Sequence, residues 1–217
     1  MQGDKVIGLF GGSFDPIHWG HINLALQIKE LGKLDHVLLC PAATSPFKVD
    51  QPPKASGSDR LEMCRLVLED VPGLEVTDME LQRGGVSYAI DTVRELGNVR
   101  LILAEDAWPR LHQWKEAEKL IQLAKPLTGS RHGNHPFDEP HLSLDSMKIL
   151  KSGRHSTAVM EISSTEIRRR LYEGGHYLGH WVPGKVIDYI KHNKLYSETN
   201  HEETTSRPSK HCRSGHL

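Results

Sequence analysis

Two histidines that lie three residues apart, His18 and His21, are the side chains in this sequence best suited to chemistry on a phosphate. Residues three apart on a helix project from the same face, so both imidazoles would meet one ligand. Imidazoles donate hydrogen bonds to phosphate oxygens, and a neighbouring phosphate favours their charged form. Gly20 stands between them and leaves room for that ligand. The same spacing also occurs among incidental surface residues and in metal sites, so the surrounding residues decide its meaning.

The residues before the histidines predict a turn and a helix start. The apolar run at residues 6–10 indicates a strand, and Gly11 and Gly12 after it let backbone N–H groups approach a phosphate. We expect Asp15 to cap the next helix, with Pro16 as its first residue. A helix N-terminus offers free N–H donors and the positive end of a dipole, so an anion would bind there.

A second helix start lies far along the chain. Ser163, followed three residues later by Glu166, has the form of a capping box and predicts a helix over residues 164–172, which Gly174 and Gly175 end. Such a segment would present first-turn N–H groups to an anion.

The side chains of that second helix start also suit phosphate. The hydroxyls of Ser164 and Thr165 would face the anion, and Arg168 supplies a forked cation one turn later. An ordinary capped helix with a solvated basic face explains these residues equally well when they are taken alone. The presence of both segments in one chain favours the phosphate interpretation.

Apolar runs alternate with helical patterns along the chain, which predicts an α/β fold: a Rossmann-like, doubly wound, mainly parallel sheet with helices on both faces. Both candidate segments follow strands, so both should lie at the carboxyl edge of the sheet, where such folds bind ligands. The predicted strands are Lys5–Phe10, His36–Pro41, Leu74–Glu80, Val99–Ala104, Lys125–Thr128 and Ala158–Ile162. The predicted helices are Ile17–Leu31, Asp59–Glu69, Tyr88–Leu96, Trp114–Gln122, Thr165–Tyr172 and Lys185–His192.

Size and composition indicate one domain over residues 1–196, followed by a polar, disordered tail at 197–217. The stretch Gly129–His155 reads as a surface loop, and the sequence leaves open whether this loop folds over the site as a lid. The formal net charge is −1, which favours neither nucleic acid nor an anionic membrane as a partner. The three cysteines are widely spaced and read as reduced thiols, so we expect a cytoplasmic protein without a metal site of its own.

The two candidate segments resemble the signatures of the nucleotidyltransferase superfamily. The first runs Gly12-Ser13-Phe14-Asp15-Pro16 with His18-Trp19-Gly20-His21, and the second runs Ile162-Ser163-Ser164-Thr165 with Arg168. The resemblance implies transfer of a nucleoside monophosphate unit from ATP or CTP to a phosphate, with release of pyrophosphate.

Later segments resemble the bacterial nicotinate-nucleotide adenylyltransferase family. They are a loop ending in Lys48, a helix start at Ser87-Tyr88, Asp106 after a strand, and Trp114. A closing stretch, Val182-Pro183 … Leu195-Tyr196, matches as well, and the resemblance covers about residues 5–130 and 158–196. Read alone, Lys48 suits a phosphate or a solvated loop, Ser87 a helix cap, Asp106 a ribose or a cap, and Trp114 ring stacking or packing. Three residues depart from the family pattern, namely Phe47, Ala89 and Ala104.

The resemblance implies a division of roles. The phosphate of nicotinate mononucleotide would attack ATP, with Mg²⁺ held mainly by the substrate phosphates and with a homo-oligomer as a possible assembly. The implied catalytic residues are His18, His21, Lys48 and Arg168. The implied ATP-binding residues are Gly11, Gly12, Ser13, Phe14, Gly20, Ala104, Asp106, Ile162, Ser163, Ser164 and Thr165. The implied nicotinate mononucleotide-binding residues are Asp15, Ser87, Tyr88 and Trp114.

Two other interpretations stay open on sequence grounds. A sister enzyme could use nicotinamide mononucleotide or phosphopantetheine as its acceptor. The Ser87-Tyr88 segment and Trp114 speak against phosphopantetheine, whereas nicotinamide differs from nicotinate only by an amide, which backbone groups can read. A non-catalytic nucleotide-binding module could also keep this fold. Release of pyrophosphate separates an enzyme from such a module.

Overall fold

Within the part of the chain that the structure describes, six parallel strands form one sheet in the order β3-β2-β1-β4-β5-β6. The computed structural model describes residues 5–130, 140–158, 160–175 and 177–197. The strands are β1 Ile7–Gly12, β2 His36–Pro41, β3 Leu74–Val76, β4 Val99–Ala104, β5 Leu127–Ser130 and β6 Arg154–Ser156. The order reverses between β1 and β4, because β1 pairs with β2 on one side and with β4 on the other. The predicted Rossmann-like, doubly wound fold is confirmed.

Eight α-helices surround the sheet in the described residues. They are α1 Trp19–Leu31, α2 Gly57–Leu68, α3 Met79–Arg83, α4 Ala89–Leu96, α5 Ala117–Ala124, α6 Leu144–Ser152, α7 Ser164–Tyr172 and α8 Gly184–His192. Two 3₁₀ segments, Pro46–Lys48 and Glu105–Gln113, follow β2 and β4. All the predicted helices are present, with their ends shifted by up to three residues.

Alternating side chains of the strands build a core on each face of the sheet. On β4, Leu101 and Leu103 point to the layer of α4, α5 and α6, whereas Ile102 points to the layer of α1, α2, α7 and α8. Adjacent residues of a strand face opposite sides, so both faces need apolar residues when helices cover both. This burial fixes the register of the sheet and hence the position of its carboxyl edge.

One predicted strand ends too late and another is wrong. The strand predicted over Leu74–Glu80 begins at Leu74 but leaves the sheet after Val76, because buried Glu80 accepts a hydrogen bond from the Thr92 hydroxyl on α4 at 2.6 Å. The described residues of the run predicted from Ala158 form no strand, because the Gln27 side chain bonds to both backbone groups of Ala158, at 2.7 and 3.0 Å. The edge strand is β6 instead.

The surface loop predicted at 129–155 is also wrong in its described part. It contains the end of β5, all of α6 and most of β6. Ser143 caps α6 through a hydrogen bond from the Ser146 N–H, and Met147 and Leu150 bury its inner face. Residues 131–139 and the tail beyond Ser197 lie outside the described residues.

The sequence predicts reduced thiols, and Cys40 and Cys64 are free; both are also buried, while Cys212 lies outside the described residues. Burial raises the pKa of the Cys40 thiol to about 12, so it stays protonated. None of the described helices has the length and apolar character that crossing a bilayer requires.

Candidate functional site

A cleft of about 1600 Å³ opens at the carboxyl edge of the sheet and is lined by both candidate segments. It lies where the strand order reverses, which is where doubly wound sheets bind ligands. Fourteen of the predicted site residues line it: Ser13, Phe14, Asp15, His18, Gly20, His21, Lys48, Ala104, Asp106, Ile162, Ser163, Ser164, Thr165 and Arg168.

His18 and His21 stack on each other at the floor of this cleft. Their ring centroids are 3.6 Å apart and their planes are inclined by 21°. The ring of Phe14 meets His21 edge-on at 5.0 Å and is itself 1 % exposed. The histidine pair is therefore held from below by a buried aromatic ring.

The backbone fixes which nitrogen of His21 carries its proton. The His18 N–H donates to Nδ1 of His21 at 3.3 Å, so in the neutral ring the proton sits on Nε2. Burial lowers the pKa of His18 to about 4. Burial, then the charges of His18 and Lys48, hold the pKa of His21 well below its usual range. Both rings are therefore neutral at neutral pH in the free protein, and His21 offers an Nε2–H donor.

Two glycines are required by close packing around the histidines. A Cβ on Gly12 would lie 2.9 Å from the Phe14 ring, and one on Gly20 would lie 3.0 Å from the His18 ring. Distances this short displace the ring, and the Phe14 ring supports His21. Gly11 faces open space, so its lack of a side chain is not needed for packing.

Helix α1 begins later than the sequence predicts. His18, not Asp15, is the N-cap, and Trp19 is the first helical residue. The Trp19 N–H is taken by the Trp181 carbonyl at 2.9 Å, which ties α1 to the segment before α8. The first N–H of this helix is therefore unavailable to an anion.

Helix α7 begins as predicted and is bonded to the turn before α1. Ser163 is its N-cap and accepts from the Glu166 N–H. The Ser164 hydroxyl donates to the Pro16 carbonyl at 3.0 Å, and Nη1 of Arg168 donates to the Asp15 carbonyl at 2.6 Å. These two bonds join residues about 150 apart in the chain, so the second segment is positioned by the first.

The Asp15 carboxylate does not cap α1 and instead accepts hydrogen bonds from distant parts of the chain. It is 4 % exposed and accepts from the backbone N–H groups of Lys54 at 2.8 Å and Ala55 at 3.0 Å. It also accepts from the Tyr196 hydroxyl at 2.8 Å. With both oxygens engaged, Asp15 joins the turn before α1 to the loop before α2.

Comparison with known proteins agrees with this geometry. The cytidylyltransferase-like family matches residues 9–170. A probable nicotinate-nucleotide adenylyltransferase of Thermus thermophilus is 40 % identical over 196 residues, which are 88 % of this chain and 98 % of the relative. The chain belongs to the nicotinate-nucleotide adenylyltransferase family. The resemblance predicted from the two segments is thereby confirmed.

Further members of the nicotinate-nucleotide adenylyltransferase family and solved structures match over the same span. A probable nicotinate-nucleotide adenylyltransferase of Gemmatimonas aurantiaca is 36 % identical over 199 residues, which are 88 % of this chain and 92 % of the relative. The structure of the nicotinic acid mononucleotide adenylyltransferase of Plasmodium falciparum complexed with NaAD has a TM-score of 0.65 at 20 % identity, covering 88 % and 97 % of the two chains. At that identity the likeness supports the fold.

Five residues predicted for the site of this adenylyltransferase are absent from the lining of the cleft: Gly11, Gly12, Ser87, Tyr88 and Trp114. The cap predicted for Ser87 is wrong, because Tyr88 is the N-cap of α4 and the Ser87 hydroxyl accepts from the Ala43 N–H at 2.9 Å. Lys115 lies 4.5 Å from the Tyr88 ring centroid. Trp114 lies 6.4 Å from the Phe47 ring and follows the second 3₁₀ segment.

The lining of the cleft carries charges of both signs. Lys48, Lys54, Arg168 and Arg169 supply positive charge, and the negative charges are those of Asp15, Asp50, Glu105, Asp106 and Glu161. Within the described residues, no group of three or more histidine, cysteine, aspartate or glutamate side chains could hold a metal ion.

Three parts of the lining escaped the sequence analysis. They are the Lys54–Ala55 backbone, the Ala158 segment held by Gln27, and Tyr196. Tyr196 belongs to the closing stretch that resembles the family, so the sequence pointed to this residue but did not indicate what it does. The other two depend on backbone groups, which no side-chain pattern reveals.

Proposed function

We propose that this cleft transfers the adenylyl group of ATP to nicotinate mononucleotide, giving deamido-NAD and pyrophosphate. The observation that carries the proposal is the junction of the stacked histidines with the start of α7, through the bonds from Ser164 and Arg168 to the turn before α1. Nicotinate mononucleotide is proposed as the acceptor because the 40 % identical relative is named a probable nicotinate-nucleotide adenylyltransferase.

The reaction needs no nucleophile from the protein. An oxygen of the 5′-phosphate of nicotinate mononucleotide attacks the α-phosphorus of ATP, and the bond from that phosphorus to the bridging oxygen breaks. The electron pair leaves with pyrophosphate. Catalysis of this kind comes from positioning and from stabilising the charge that develops.

His21 is assigned to the α-phosphate, where its Nε2–H donates to the oxygen on which charge develops. A neutral donor is available at neutral pH because burial keeps the imidazole deprotonated in the free protein. A bound phosphate raises the pKa of a neighbouring histidine, so His18 and His21 strengthen as donors when ATP is present.

Arg168, Lys48 and the N–H groups of Ser164 and Thr165 are assigned to the β- and γ-phosphates. The Arg168 fork is occupied on one side by the Asp15 carbonyl, and its second nitrogen reaches the Thr165 hydroxyl at 3.2 Å. This holds the planar cation at the start of α7. Mg²⁺ bound to the triphosphate would neutralise phosphate charge and favour the leaving of pyrophosphate.

Asp106 is assigned to a ribose, and Ser87, Tyr88 and Trp114 to the nicotinate mononucleotide. Asp106 is exposed and lines the cleft just after β4. Ser87 bonds to Ala43 in the loop before Lys48, and the ring of Phe47, beside Lys48, lies 6.4 Å from that of Trp114. The acceptor end of the site would therefore lie behind the 3₁₀ turn Pro46–Lys48.

Pyrophosphate release from ATP and Mg²⁺ tests the proposal when nicotinate mononucleotide, nicotinamide mononucleotide and phosphopantetheine are compared as acceptors. We expect release with nicotinate mononucleotide to exceed the others. Release with another acceptor would keep the chemistry and overturn the acceptor assignment. If the protein binds ATP but releases no pyrophosphate in any of the three assays, this chain is a non-catalytic nucleotide-binding module.

A further inference from the structure

Tyr196 lies near the end of the described chain, yet it is buried against the start of the fold. It is 9 % exposed, and its hydroxyl donates to Oδ1 of Asp15, which is 181 residues away. Its backbone has a φ of +60°, a left-handed conformation that an aromatic residue adopts only when its surroundings impose it. The fold thus holds the Tyr196 hydroxyl in one place.

The carboxylate that receives this hydroxyl holds two walls of the cleft. Oδ1 of Asp15 also accepts from the Ala55 N–H, and Oδ2 accepts from the Lys54 N–H. Nη1 of Arg168 lies 3.5 Å from Oδ2 while it donates to the Asp15 carbonyl. One buried carboxylate therefore sits between a loop wall and the guanidinium assigned to the triphosphate.

Hydrogen bonding explains why a phenol is suited to this position. A buried carboxylate that loses a donor is destabilised, and the turn that carries it is then held less firmly. Burial and the Asp15 charge raise the pKa of Tyr196 well above its usual range, so the phenol stays protonated and remains a donor. Arg60 is buried nearby, but its Nη1 donates to the carbonyls of Ser13 and Ala42.

We propose that Tyr196 is a positioning residue for ATP: by donating to Oδ1 of Asp15, it fixes the residue whose backbone carbonyl and Oδ2 hold the Arg168 guanidinium in place for the nucleotide. The inference rests on the proposed function, because it takes the triphosphate as the ligand of Arg168. It adds a residue from the chain's last described segment to a site otherwise built from the two motif regions.

Tyr189 provides a matched control. Its hydroxyl donates to Oδ1 of Asp59 at 3.0 Å, so it also pairs a tyrosine with an aspartate, here across 130 residues of chain. Tyr189 lies on α8 and does not line the cleft. Loss of its hydroxyl removes a comparable bond without touching Asp15.

The experiment compares Tyr196→Phe and Tyr189→Phe with the parent chain. We expect Tyr196→Phe to raise the KM for ATP and the Kd for ATP with Mg²⁺ about tenfold, with the KM for nicotinate mononucleotide changed less than about twofold. Tyr189→Phe should leave all three constants within about twofold. Equal effects of the two variants, or an equal rise in both KM values for Tyr196→Phe, would overturn the proposal.

A double-variant cycle tests whether Tyr196 acts through Asp15. If it does, Asp15→Ala with Tyr196→Phe should weaken ATP binding no more than Asp15→Ala alone, because Asp15→Ala already removes the acceptor of the Tyr196 hydroxyl. Additive losses would overturn the route through Asp15. ATP binding is measured without an acceptor, so these results stand even if no pyrophosphate is released, and failure of the proposed function is thereby distinguished.

Discussion

The proposed phosphate half and the proposed acceptor half of this site are built in different ways. In the phosphate half, Ser164, Arg168 and Tyr196 bond to the Asp15–Pro16 turn across 148 to 181 residues of chain. In the acceptor half, Ser87 bonds to the backbone of Ala43 and Trp114 lies beside Phe47. The first half is a connected network, whereas the second is a set of separate contacts.

The difference teaches why the two halves are recognised unequally. A triphosphate is bound by backbone N–H groups, imidazoles and a guanidinium, which need fixed spacing and so leave motifs. A pyridine ring needs an apolar face and a few donors, which many residues supply. The structure accordingly gathers the motif residues in one cleft and leaves Ser87, Tyr88 and Trp114 outside its lining.

The largest effect expected in the phosphate half is that of His21→Ala. Removal of the Nε2–H should lower turnover by at least about a hundredfold, as loss of a transition-state donor does. Steady-state kinetics beside His192→Ala, a substitution at an exposed residue on α8, measures it. Near-normal turnover of a folded His21→Ala protein would remove His21 from the mechanism.

Acid should destabilise the ligand-free protein through His18, a buried histidine of the phosphate half. The pKa of His18 is about 4 in the folded protein and 6.5 in the unfolded chain, so the unfolded chain binds more protons between these values. The contribution of His18 to the free energy of unfolding is therefore fully present above pH 6.5. It decreases as the pH falls, by about 2 kcal/mol between pH 7.5 and 5. Urea unfolding at both pH values measures the loss, and His18→Gln should reduce it. An equal loss in both proteins would contradict burial as the cause.

In the acceptor half, Trp114→Leu should raise the KM for nicotinate mononucleotide about tenfold, because ring stacking is lost. The KM for ATP should stay within about twofold, and Trp114→Phe should restore most of the loss. Initial rates with each substrate varied in turn provide both constants. If the two KM values rise together, Trp114 is a packing residue and the acceptor half lies elsewhere.

The smallest effect concerns the cleft wall at Ala158. Gln27→Met removes both bonds to the Ala158 backbone, although Asn23 still donates to its carbonyl at 2.6 Å. The KM for ATP should rise about threefold, the usual worth of a neutral hydrogen bond. Gln82→Met, on α3 and away from the cleft, serves as the control. A rise in the acceptor KM alone would place Ala158 in the other half.

The sequence predicted best what depends on apolar periodicity. Strands β2 and β4 have the predicted bounds, and helix α7 begins at the predicted cap. Helix α6 was missed because its segment is polar, although Ser143, Met147 and Leu150 have the spacing of a capped helix. The residues 74–80 read as one strand because local pattern does not show that Glu80 bonds to Thr92.

The site was predictable where side chains carry it and not where distant backbone does. His18, His21, Ser164 and Arg168 meet as the motifs indicate. The helix cap predicted for Asp15 is wrong, because its carboxylate bonds to the N–H groups of Lys54 and Ala55, about 40 residues away. A cap and a buried bridge use the same residue type, and only the fold distinguishes them.

The most direct test supplies the protein with ATP, Mg²⁺ and equal concentrations of nicotinate and nicotinamide mononucleotide, and identifies the dinucleotides by mass. A connected phosphate half with a nicotinate acceptor predicts deamido-NAD in at least about tenfold excess over NAD. NAD as the main product, or no dinucleotide from a protein that binds ATP, would contradict the account.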